Sequence, residues 1–86
     1  MLRADELKRA IENAIPGSLV QVQDLTGTGD HFQALVVSDH FIGKPLLQQH
    51  QIVYGALGEQ MGGDLHALGL KTFTPEAWRR SQPNLS

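Results

Sequence analysis

Four histidines and no cysteine set the chemistry open to this chain of 86 residues. His31 stands at the mouth of the run "HFQALVVS", just after the glycine-bearing stretch "LTGTGD". His66 stands in "LHALGLK", another short apolar segment bounded by turn signals. Neither position belongs to a helical stripe, and imidazoles beside strand ends are suited to ligating a metal. Two imidazoles leave positions open on any first-row transition metal, so water, a small thiol or a partner protein would supply the remaining ligands. A solvated or hydrogen-bonding histidine is the plain alternative at each position. His50 falls on the apolar face of a helical segment and reads as a core-edge residue, and His40, after Asp39, reads as part of a turn.

Other chemistry finds little support. No thiolate nucleophile or disulfide scaffold is available without cysteine. Paired carboxylates, a nucleophile motif and a phosphate loop of convincing spacing are missing, so the chain reads as a non-enzyme. Seven Lys and Arg against nine Asp and Glu give a formal charge of -2, which offers no global field for nucleic acid. A local basic edge from Lys44, Lys71, Arg79 and Arg80 is the one feature favouring a polyanion. "GALG" at 55–58 has a G-x-x-G spacing like the loop that clamps nucleic-acid backbones. It lacks positive charge, and Leu57 continues an apolar stripe, so a packed helix end accounts for it better.

The elements that must position these side chains follow from period. Leu7, Ala10, Ile11, Ala14 and Ile15 recur at three and four, predicting a helix that Pro16 and Gly17 stop. "SLVQVQD" alternates, Val20 and Val22 facing one way and Gln21 and Gln23 the other, as in a half-buried strand. "HFQALVVS" predicts a central strand paired back on it as a hairpin. From Pro45, the residues Leu46, Leu47, His50, Val53, Tyr54, Leu57 and Met61 predict a helix with a broad apolar face, weakened by Gly55 and Gly58 and ended by Gly62 and Gly63. "LHALGLK" predicts a third strand. "TPEAWRR" predicts a last helix with Thr74 as cap, Pro75 at its first position and Trp78 as a lid over the sheet. The order α, β, β, α, β, α makes an α+β sandwich on a small mixed three-stranded sheet. One domain over residues 1–80 with a flexible tail at 81–86 is expected, in a cytoplasmic protein without a targeting or membrane segment.

In combination, "VVSDHFIGKPLLQQHQIVYGAL" and "LHALGLKTFTPEAW" resemble the BolA family, and "GDHFQ" with "QIVYG" looks most like its IbaG-type branch. The resemblance implies an αββαβα fold with a topology like a class II KH domain. It also implies pairing with a monothiol glutaredoxin and a [2Fe-2S] cluster shared with that partner and glutathione, none being expected on the isolated chain. His66, in the H-A-L strand, and His31, closing the hairpin loop, match the family's cluster-binding positions, His31 standing where other members carry a cysteine. Four ligands would then be two imidazoles and two thiolates. Family members have also been linked to transcription and stress physiology, and a nucleic-acid-binding regulator is the alternative. "QHQ" at 49–51 departs from the charged R-H-R often found there, which weakens a DNA contact by that helix. Monomer and homodimer stay open for the chain alone.

Overall fold

A computed structural model describes residues 3–27, 31–58 and 67–82. Helix α1 (Ala4–Ala14) is followed by strands β1 (Leu19–Asp24) and β2 (His31–Val37), a single 3₁₀ turn at Asp39–Phe41, helix α2 (Leu46–Leu57), strand β3 (Ala67–Phe73) and helix α3 (Pro75–Ser81). The sheet order is β1-β2-β3. β1 runs antiparallel to β2, with Leu19 opposite Val37 and Asp24 opposite Phe32. β3 runs parallel to β2, with His31 opposite Ala67 and Val37 opposite Phe73. The predicted α+β order and mixed sheet are therefore present.

Strand alternation decides which side of the sheet becomes the core. Val20 of β1 and Phe32, Ala34 and Val36 of β2 are buried on one face, where Leu7, Ile11 and Ile15 from the α1 segment and Val53 and Leu57 of α2 cover them. Phe41 at the end of the 3₁₀ turn is fully buried in the same cluster. That turn replaces the simple connection expected there; Ser38 starts it, its hydroxyl accepting a hydrogen bond from the His40 N–H at 3.0 Å.

Two features of α2 differ from expectation. Leu46 and Leu47 are 59% and 69% exposed, so they lie off the buried face. Apolar residues are spread round this helix and residues 48–51 are polar through a full turn, so packing, not period, selects Val53 and Leu57 as the buried residues. It also ends earlier, at Leu57, because Gly58 takes a positive φ of 54° that breaks the helical backbone. Met61, Gly62 and Gly63 lie outside the described residues.

Candidate functional site

His31 opens β2, and its side chain is exposed. By alternation it shares a face with Gln33 and Leu35, the face away from α1 and α2. Its main chain is fixed from both sides. The Leu25 N–H donates to the His31 carbonyl at 2.9 Å, which carries the hairpin ladder one residue beyond Asp24. Across the other edge, His31 stands opposite Ala67, the first residue of β3. His66 precedes Ala67 in the sequence and lies outside the described residues. A ring held at the start of the central strand, with no hydrogen bond among the described residues, presents nitrogen donors to whatever docks there.

The hairpin is closed on its β1 side by Asp24, whose carboxylate accepts from the N–H groups of Thr26 and Gly27 at 3.2 and 2.9 Å. This turn chemistry fixes where the strand stops, and Gly27, with φ of 75°, adopts the backbone such a turn requires. Among the described residues no three His, Asp or Glu side chains gather to hold a metal ion.

Of the four cations of the expected basic edge, Lys44 and Lys71 line separate depressions. Lys44 lines a shallow depression of about 320 Å³ on the outside of α2, with Gln48, Gln51 and Ile52. Lys71 lines another, of about 450 Å³, on the open face of the sheet. The two depressions share no residue. Lys44 is further occupied in closing its own loop, its ammonium donating to the His40 carbonyl at 2.6 Å. Arg80 is paired with Glu76 one turn earlier on α3, and Arg79 sits beside it at the end of that helix.

His50 is the other histidine with a definite environment. It is half-buried on α2, and its Nε2 is enclosed without a hydrogen-bond partner among the described residues. Next to it, Gln49 is fully engaged: its amide N–H donates to the Lys44 carbonyl at 2.8 Å and its carbonyl accepts from the Thr72 hydroxyl at 2.7 Å. That pair ties the start of α2 to β3.

The open sheet face is the feature the sequence did not announce. Gln21 and Gln23 of β1, Gln33 and Leu35 of β2 and Lys71 and Phe73 of β3 line its depression, with Trp78 of α3 at one end. Trp78 leans on Phe73, ring centroids 5.5 Å apart and planes tilted by 56°. Trp78 thus lies over one end of the sheet as a lid, but half-buried and outside the core cluster, where core packing was expected. The outward alternation of Gln21 and Gln23 was the available signal for the depression, but it could not say which residues of β2 and β3 would stand beside them.

Comparison with known proteins agrees with this architecture. The pattern of the BolA family, described as BolA-like protein, matches residues 8–77. The chain is 40% identical over 83 residues to the mouse (Mus musculus) BolA-like protein 2, covering 94% of this chain and 95% of that one. It is 38% identical over 56 residues to the Escherichia coli protein named DNA-binding transcriptional regulator BolA, covering 65% of this chain and 53% of that one. Among solved structures, a BolA homologue from Coxiella burnetii superposes with a TM-score of 0.81 at 38% identity, over 93% of this chain and all of that one. No helix among the described residues is long and apolar enough to cross a membrane.

Proposed function

The chain belongs to the BolA family, and on that premise we propose that it is a non-enzymatic adaptor, of the family's IbaG-like branch, that pairs with a monothiol glutaredoxin. In this reading the cargo is a [2Fe-2S] cluster, held between the two proteins through His31 and His66 on this side. The observation that carries it is the register of the parallel pair: His31 is exposed and stands opposite Ala67, the direct neighbour of His66 in the chain.

The donor set fits the cargo. A chain without cysteine contributes no thiolate, so thiolates come from the glutaredoxin and glutathione, and this protein contributes neutral nitrogen. Replacing thiolates by imidazoles lowers the negative charge on a cluster and raises its potential, and it makes retention dependent on protonation. A site with two borrowed ligands suits transfer or sensing better than storage. A DNA-binding role, as the name of the Escherichia coli relative has it for that protein, has less support, because Lys44 and Lys71 line different depressions and a phosphate backbone is held by several cations acting together.

Mixing the protein with a cluster-loaded monothiol glutaredoxin tests the reading. Visible absorption and circular dichroism should change on mixing, and both His31→Ala and His66→Ala should abolish or alter that change. Spectra of His66→Ala indistinguishable from wild type would refute the ligand assignment.

A further inference from the structure

We propose that the open face of the sheet binds a small ligand with a planar hydrogen-bonding ring and one anionic group, of the nucleoside monophosphate class. The face is organised in rungs. Gln21, Leu35 and Lys71 stand side by side across the three strands, and Gln23, Gln33 and Gly69 form the next rung. Strand spacing puts Gln21 and Lys71 about 10 Å apart at their Cα atoms, and successive rungs about 7 Å apart. Gly69 adds no side chain to the second rung, where a Cβ would meet the Phe32 carbonyl at 3.8 Å and the Gln33 side chain at 3.9 Å. The result is a depression of about 450 Å³ with an apolar floor at Leu35, an aromatic end at Trp78 and three primary amides. That volume lies within the range of small-molecule sites, about 300–1,000 Å³.

Each wall selects part of the ligand. Amides both donate and accept, which matches the edge of a nucleobase, and an aromatic side chain gives a ring a surface to stack on. Among the described residues, Lys71 is the only charged one lining the depression. One ammonium complements one phosphate; it does not complement a run of them, since each bound phosphate of a polynucleotide calls for its own cation. A protein partner or a second copy fits less well. The strands are six to seven residues long, so the face measures about 20 by 14 Å, well short of the roughly 800 Å² per partner typical of a stable interface.

Trp78 is the only tryptophan of the chain, so its fluorescence reports on this site alone. Titration with AMP should quench it saturably, and adenosine should bind more weakly. Lys71→Gln should weaken AMP about tenfold, the worth of one charge-assisted contact, while leaving adenosine unchanged. Gln33→Leu, which keeps the volume and removes an amide, should weaken both. Circular dichroism of each variant checks that the fold is retained, and amide shift mapping on the wild-type protein should move β1, β2 and β3 signals of this face. Quenching that fails to saturate by about 10 mM AMP, where even a millimolar site would fill, overturns the proposal. So does Lys71→Gln binding AMP as wild type does, or a single-stranded oligonucleotide binding with a salt dependence of several phosphates.

Discussion

Gln49 and His50 are neighbours on α2 with opposite hydrogen-bonding fortunes, and that contrast sets the sign of two substitutions. Gln49 has both ends of its amide satisfied, by Lys44 and by the buried Thr72 hydroxyl. The Nε2 of His50 is enclosed without a partner among the described residues. Removing one member of a made pair costs about 0.5–1.5 kcal/mol, whereas removing a buried polar atom that has no partner relieves a desolvation penalty of about 1–3 kcal/mol. Thr72→Val should therefore lower the midpoint of urea unfolding, and His50→Leu should raise it, with unchanged m-values in both. A His50→Leu variant less stable than wild type would mean that Nε2 is hydrogen-bonded in solution and would overturn this reading. Sequence spacing placed His50 on the apolar face correctly, but a period cannot say whether a ring nitrogen finds a partner, because that depends on what the opposing element offers.

At the scale of elements, α3 is short enough that its cap matters. It spans seven residues, and Thr74 accepts from the Ala77 N–H at 3.2 Å with Pro75 behind it. Isolated helices of this length do not persist in water, so α3 stays formed through its cap and through Trp78 resting on Phe73. Thr74→Ala should cost about 1 kcal/mol and shift Trp78 emission to longer wavelength as the indole gains water. A variant with wild-type emission and stability would show that the aromatic pair alone holds the helix. This cap was legible from "TPEAW" because capping chemistry is local. The hairpin was legible for the same reason, its glycines marking the turn. The exposure of Leu46 and Leu47 was not, because apolar residues scattered round α2 define no single face and only the sheet beneath it chooses one. The depression under Trp78 was hidden likewise: its lining comes from three strands and a helix that are brought together by register.

The whole molecule sorts its chemistry by face. One side of the sheet carries the core under α1 and α2; His31 and the glutamines share the other. A chain of 86 residues buries a smaller fraction of its surface than larger domains do, so anything bound to the folded form alone adds visibly to its stability. Occupancy at 100 times Kd contributes about 2.7 kcal/mol. The proposed co-ligation adds a sign with pH. Imidazole must be neutral to coordinate, so protons compete with the cluster and acidification favours release. The thermal stabilisation that a cluster-loaded glutaredoxin gives this protein should be larger in mildly alkaline solution and should shrink on acidification. The glutaredoxin without its cluster should show no such dependence. In His31→Ala and His66→Ala the stabilisation should be small at every pH. A stabilisation that persists unchanged into acid, or that survives in both variants, would mean that the partner is held by surface contacts alone and that the two histidines are not ligands.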